Sequence, residues 1–163
     1  AKPGTPGLEH RIGGIEKAHL TGNISYDPEN HEFMCKLRQQ KVMGIRESIP
    51  TPPVVGDASG DVLVLGWGST RGAITSAVEE LHKKGRKKVS QLHLRHMWPL
   101  PKGLENIFAN FRAVLVPEMN LGQLVRVLRS EYPQHNFISY PKIQGQPFRT
   151  SEIVNKIEAI LEK

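Results

Sequence analysis

From residue 61 onward, the apolar positions of this chain fall into two alternating rhythms. "DVLVLGW", Asp61 to Trp67, is a continuous apolar run, as expected for a strand covered on both faces. Ala73, Ile74, Ala77, Val78 and Leu81 then recur at helical spacing. "KVSQLHLR" reads as the next strand, with Val89, Leu92 and Leu94 as its apolar members. Leu104, Ile107, Phe108 and Phe111 predict a short helix, and "RAVLVPE" a third strand. Leu121, Leu124, Val125 and Leu128 predict another helix, and "HNFISY" a fourth strand. Ile153, Val154, Ile157, Ile160 and Leu161 predict a last helix, capped by Thr150 or Ser151. Strands alternating with helices of this length imply right-handed β–α–β units. Residues 61–163 therefore read as an α/β domain: an open, doubly wound, mainly parallel sheet of four to five strands. Four strands are plain; "PPVVG" and Gln146–Phe148 are the candidates for a fifth.

Residues 1–60 lack that rhythm and read as a connector. "AKPGTPGLEHRIGGIE" is rich in Gly and Pro and reads as loop. A helix over about 28–45 follows, with Asp27 as N-cap, Pro28 in the first helical position and Glu29 at the positive end. Its apolar face is thin: Phe33, Met34, Leu37 and Ile45. "SIPTPPVVGDASG" then reads as a Pro-rich linker.

Composition narrows the function classes. At 38% hydrophobic and 23% charged residues the chain is ordinary for a soluble protein. No apolar run approaches the ~20 residues that cross a bilayer. The first residues carry no signal-peptide core. They also lack an initiator Met, which fits a processed product or a fragment. The one cysteine, Cys35, excludes an internal disulfide, a four-cysteine zinc site and an iron–sulfur cluster held by this chain alone. A cytoplasmic setting suits that cysteine usage. The net charge of +6 is lopsided, because residues 1–60 hold seven basic and seven acidic side chains and residues 61–163 hold fifteen and nine. Part of the excess is "KKGRKK", Lys83 to Lys88. It reads as the cationic end of a helix stopped by Gly85. No aromatic residues are interleaved there to stack on bases, so a nucleic-acid partner is not expected.

Ligands of open parallel sheets gather beyond the carboxyl ends of the strands. The first such end is "GWGSTRG", Gly66 to Gly72. It resembles a glycine-rich anion loop but misses the dinucleotide spacing by one residue. The plainer reading is a tight turn capped by Ser69 or Thr70. The second is "LHLRHMWPLP", where His93, Arg95 and His96 crowd within four residues. Alternation sets His93 and Arg95 on the face opposite Leu92 and Leu94. The next carboxylate is Glu105, so no metal-ligand set is complete. The third is "VPEMNLGQL": Glu118 ties down loops or serves as a functional carboxylate, and Asn120 is a natural helix N-cap. The fourth is the shaped loop "YPKIQGQPF", Tyr140 to Phe148. Cys35 has no convincing base beside it. The candidate edge residues are thus Gly66, Gly68, Ser69, Thr70, His96, Glu118, Asn120, Gln144 and Gly145, and none is assigned a catalytic role.

Three segments, "DVLVLGWGSTRGAITSAVEEL", "VSQLHLRHMWPLP" and "RAVLVPEMNLGQL", resemble the C-terminal domain of the transketolase group of thiamine diphosphate enzymes. More narrowly, "TPGLEHRIGGIEKAHLTGNISYDPENHEFM", "WGSTRGAI", "LVPEMNLGQLVRVLRSEY" and "YPKIQGQPFRTSEI" resemble the alpha subunits of 2-oxoacid:ferredoxin oxidoreductases, the 2-oxoglutarate branch in particular. The resemblance spans nearly the whole chain; "PEMNLGQL" and "KIQGQPF" are its most specific parts. It implies a subunit fragment of an enzyme that decarboxylates a 2-oxoacid oxidatively and releases an acyl-coenzyme A. It implies as partners a beta subunit, the remaining alpha-chain domains, ferredoxin and coenzyme A. Thiamine diphosphate, Mg and iron–sulfur clusters would lie elsewhere in the holoenzyme, because this chain has no G-D-G…N motif and no cysteine cluster. It further implies that Gly66–Thr70, His96–Pro101, Glu118–Gln123 and Gln144–Phe148 form a surface toward a partner subunit. The alternative is a free-standing anion- or nucleotide-binding module using the Gly66–Gly72 loop.

Overall fold

The computed structural model describes residues 2–9, 13–86 and 88–162. His10, Arg11 and Ile12 of the opening loop, and Lys87 of "KKGRKK", lie outside them. Two compact units divide after Ile45.

The first unit is built on helix α1, Pro28–Gly44. Asp27 caps it, its carboxylate accepting the Glu29 amide at 3.1 Å, with Pro28 just inside. No residue of α1 is buried, as the thin apolar face foretells. Polar contacts hold the segment before it instead: an antiparallel bridge joins Lys17 to Ile24, and the Asn30 side chain donates to the Lys17 carbonyl at 3.0 Å.

The second unit carries strands β1 (Val54–Val55), β2 (Gly60–Trp67), β3 (Val89–Leu94), β4 (Phe111–Glu118) and β5 (Phe137–Pro141) in the order β1-β3-β2-β4-β5. β2, β3, β4 and β5 run parallel, and β1 joins the edge antiparallel to β3. Between them lie α2 (Arg71–Lys83), α3 (Leu104–Ala109), α4 (Gln123–Glu131) and α5 (Thr150–Leu161). The continuous apolar run of β2 reflects two cores. Leu63 and Leu65 face α3 and α4, against Leu104, Phe108 and Leu128. Val62 and Val64 face α2 and α5, against Ile74, Leu81, Ile153 and Ile157. Helices on both faces leave little solvent-facing surface in the central strands, so alternation disappears from their sequence.

The structure decides between the two candidates for a fifth strand, and three other details depart from the sequence expectation. The fifth strand is in "PPVVG": Val54 pairs with Leu92 and Val55 with Gln91. The neighbouring prolines are tolerated because this is an edge. Phe111 opens β4 rather than closing α3, and packs into the α3–α4 layer from the strand. Leu121 precedes α4 and is 65% exposed, so its helical spacing was coincidental. Helix α5 is not capped by Thr150 or Ser151; Glu152 reaches back to accept the Arg149 amide at 2.7 Å. The α2 terminus matches its reading. Gly85 takes φ +84°, its amide bonds the His82 carbonyl and the Arg86 amide the Leu81 carbonyl, the Schellman arrangement. Among the described residues, no helix is long and apolar enough to cross a membrane.

Candidate functional site

The four parallel strands end together, at Trp67, Leu94, Glu118 and Pro141, and their outgoing loops form one edge of the sheet. β2 leads to β3 on one side, while β4 and β5 lie on the other. The crossover reverses between β2 and β4, which is where open α/β sheets place ligands.

The β2 end is a short 3-10 turn, Gly68–Thr70, leading into α2. Thr70 is buried and folds back, accepting the Trp67 amide at 3.2 Å and donating to the Trp67 carbonyl at 2.8 Å. It therefore closes the turn but does not cap α2, and Ser69 donates to Met119 Sδ at 3.6 Å instead. The expected cap by Ser69 or Thr70 is replaced by a back-bonded turn. Gly66 lies inside β2: a β-carbon there would stand 2.4 Å from Ile74 Cδ1 and 2.8 Å from Thr70 Oγ1. Its smallness serves helix–strand packing. Gly68 needs its freedom for φ +56°.

The β4 end is self-satisfied. Glu118 is fully buried, and its two carboxylate oxygens accept the Leu124 amide at 2.8 Å and the Val125 amide at 3.0 Å. Asn120 Oδ1 accepts the Gly122 amide at 2.8 Å and the Gln123 amide at 3.0 Å. Gly122 is the N-cap position, so Asn120 acts from two residues upstream. The four amides that a helix leaves unpaired at its start are all taken by these two side chains. A negative charge already sits at the positive end of α4.

Gly68, Ser69, Thr70 and Asn120 come together, with Trp67 and Met119, around a crevice of about 90 Å³. Ligand pockets run to roughly 300–1,000 Å³. The switch point is too small for a nucleotide, and Glu118 beneath it disfavours a diphosphate. The residues present do not fit thiamine diphosphate, and one cysteine cannot hold an iron–sulfur cluster. No chemical step is assigned to this chain through either group.

The other strand ends stand apart from that crevice. At β5, the loop is pinned by Lys142, whose ammonium donates to Glu152 Oε1 and Oε2 at 2.9 and 2.7 Å and to the Pro147 carbonyl at 3.1 Å. That ion pair holds the Glu152 carboxyl below its ordinary range. Gln144 and Gly145 are exposed on this loop, with Gly145 at φ +68°. At β3, Leu92 and Leu94 are buried and His93 and Arg95 face the α2 side, as alternation requires. His96 is exposed at the start of the following loop.

Sequence reasoning missed what His93 meets. With Val55, Arg71, Thr75, Gln91 and Arg95 it lines a cleft of about 400 Å³. Thr75 donates to Gln91 Oε1 at 3.0 Å across its floor. Burial, then the charges of Arg71 and Arg95, push the His93 pKa down. The signal was present as two periods: Gln91, His93 and Arg95 at steps of two, and Arg71 and Thr75 one helical turn apart. The reading of Cys35 also changes. His31 Nε2 lies 3.6 Å from its sulfur and Arg38 Nη2 3.3 Å. Glu16 completes the group, bonding His31 Nδ1 at 2.7 Å and Arg38 at 3.1 and 3.3 Å. Glu16, His31 and Cys35 could each offer a ligand atom to a metal, but the Arg38 guanidinium already takes the carboxylate.

Comparison with known proteins places this geometry. The family model described as "Pyruvate:ferredoxin oxidoreductase core domain II" matches residues 60–153. The 2-oxoglutarate oxidoreductase subunit KorA of Mycobacterium tuberculosis is 43% identical over 99% of this chain and 24% of its own length. Subunit alpha of 2-oxoacid:ferredoxin oxidoreductase 2 of Aeropyrum pernix is 32% identical over 93% of this chain and 24% of its own. A solved 2-oxoglutarate:ferredoxin oxidoreductase from Magnetococcus marinus, with 2-oxoglutarate, coenzyme A and succinyl-CoA bound, superposes with a TM-score of 0.86. It is 33% identical, covering 99% of this chain and 28% of that one. This chain thus spans about a quarter of the length of these three relatives, with 24% of KorA covered.

Proposed function

The chain belongs to the pyruvate:ferredoxin oxidoreductase core domain II family, and from that premise we propose that it serves as this domain of a 2-oxoacid:ferredoxin oxidoreductase alpha subunit. The reaction of the assembled enzyme is the oxidative decarboxylation of a 2-oxoacid to an acyl-coenzyme A, with electrons passed to ferredoxin in the cytoplasm. Its substrate is 2-oxoglutarate. The single observation that carries this reading is the end-to-end match, 99% of this chain at TM-score 0.86, to the Magnetococcus marinus enzyme.

Within that enzyme the chain's own residues act as scaffold. Glu118 and Asn120 lock the β4 loop, Thr70 locks the β2 turn, and Lys142 with Glu152 locks the β5 loop. These loops, with His96 beside them, form the rim offered to a beta subunit and to the rest of the alpha chain. Thiamine diphosphate supplies the decarboxylation chemistry from residues outside this chain, with Mg and iron–sulfur clusters held there too. A rim of this kind has to be stiff, because an assembled active site tolerates little displacement.

The test is reduction of a viologen dye, dependent on both 2-oxoglutarate and coenzyme A. The chain alone is expected to be inactive. The complete alpha chain joined with its beta partner and supplied with thiamine diphosphate is expected to turn over. Turnover by the isolated chain, or none by the assembled pair with any 2-oxoacid, overturns the reading.

A further inference from the structure

The cleft beside β3 has a charge imbalance. Two guanidinium groups, Arg71 from the first position of α2 and Arg95 from the end of β3, line it together with the His93 imidazole. No aspartate or glutamate is among the lining residues. Neither arginine makes an ion pair among the described residues, whereas Arg38 finds Glu16, Lys84 finds Glu80 and Lys142 finds Glu152. Like charges around one cleft repel, and an anion between them lowers that repulsion.

The imidazole adds a directional argument. His93 Nδ1 is buried, has no protein partner, and points toward the Gly66 backbone, 3.6 Å from where a β-carbon there would be. A proton on that nitrogen would be an unshared buried donor, so the neutral ring is better served with its proton on Nε2. Nε2 then carries the donor N–H of a ring that lines the cleft. Thr75 and Gln91 supply a hydroxyl and an amide beside it, and Val55 an apolar wall. The volume, about 400 Å³, falls in the range of small-ligand pockets.

We infer that this cleft binds the phosphate group of a small molecule, gripped by Arg71 and Arg95 with His93 Nε2 as a further donor. A phosphate dianion balances two guanidinium charges, where a single carboxylate leaves one unmatched. Planar guanidinium forks also suit a phosphate, whose several terminal oxygens accept their paired N–H donors. The site lies on the α2 side of the β3–β1 edge and is separate from the crevice between the β2 and β4 loops. The inference therefore stands independently of the proposed enzyme function.

The test follows the His93 ring protons by NMR through a pH titration of the full chain at constant ionic strength. Three additions are compared: inorganic phosphate, glycerol phosphate and acetate. Phosphate is expected to raise the His93 pKa saturably, reversing the downward push, because a bound dianion stabilises the imidazolium. Glycerol phosphate giving the same shift assigns the site to phosphate esters as well; a shift with inorganic phosphate alone restricts it to the free ion, and both agree with the inference. Arg71→Gln with Arg95→Gln is expected to weaken phosphate binding about tenfold or more, the scale of losing a charge-assisted contact. Retained chemical-shift dispersion in that variant shows that it is folded. No saturable shift with either phosphate, a shift that survives in the double variant, or an equal shift with acetate overturns the inference.

Discussion

The carboxyl ends of β4 and β3 face the same rim, yet they handle charge in opposite ways. At β4 the chain supplies its own anion: Glu118 and Asn120 take all four leading amides of α4, and nothing is left over for a ligand. At β3 the chain supplies cations and no anion: Arg71, Arg95 and His93 meet around a cleft without a carboxylate. The first is a finished structural joint. The second is an unfinished electrostatic one. A strand end with chemistry-bearing residues is thus no evidence of a site until its internal partners are counted. Glu118 stood among the candidate residues and His93 did not, and their hydrogen-bond partners reverse that order.

Glu118→Ala attacks the comparison where the effect is largest. It strips two buried amides of their acceptor, so a loss of about 3 kcal/mol is expected in urea unfolding, with Glu118→Gln losing less. A loss near zero would mean that the α4 amides find other partners and that the β4 end is not closed by this carboxylate.

Gly66→Ala comes next. The new methyl meets Ile74 Cδ1 and Thr70 Oγ1 well inside contact distance, so about 1–3 kcal/mol should be lost. Because His93 Nδ1 is on the same side, the His93 titration should move as well. Movement of the fold stability without movement of His93 would uncouple the β2 turn from the β3 cleft.

The smallest effect sharpens the contrast between paired and unpaired arginines. Arg38 has Glu16, first through their hydrogen bonds and then with help from His31, and the Glu16 carboxyl is lowered from 4.5 to about 2. A depressed folded-state pKa contributes stability that is present above 4.5 and lost as pH falls through about 2. Helical circular dichroism of the wild type should therefore decline across that acid window, and Glu16→Gln should flatten the decline. Exposure of the pair keeps the amplitude small. An unchanged acid limb in the variant would show that Glu16 and Arg38 do not stay paired in solution.

The fold was largely legible because its signals are local. Residues 61–67 carry no alternation, residues 73–81 carry a helical period, and each pattern is imposed by near neighbours in the chain. Asp27 and Gly85 were readable for the same reason, since a cap and a stop act within a few residues. Phe111 and Leu121 misled because an apolar residue at a helix boundary satisfies two periods at once, and only packing chooses between them. The candidate site was less legible. Thr70 could be expected at a helix start, but not that its hydroxyl turns back to Trp67.

By itself, then, the sequence determined the alternation of strands and helices, the doubly wound class and the family resemblance, all properties of short windows or of windows in order. It did not determine that β1 pairs with β3, that Arg71 and Arg95 share a cleft, or that Glu118 is spent on α4. The first two depend on strand order and register, which bring together residues twenty or more positions apart, as Arg71 and Arg95 are; the third depends on how the β4 loop folds back over six or seven residues. Periodicity fixes which face a side chain occupies, and the tertiary structure alone decides what stands opposite it, and hence whether a charge is already answered or still open.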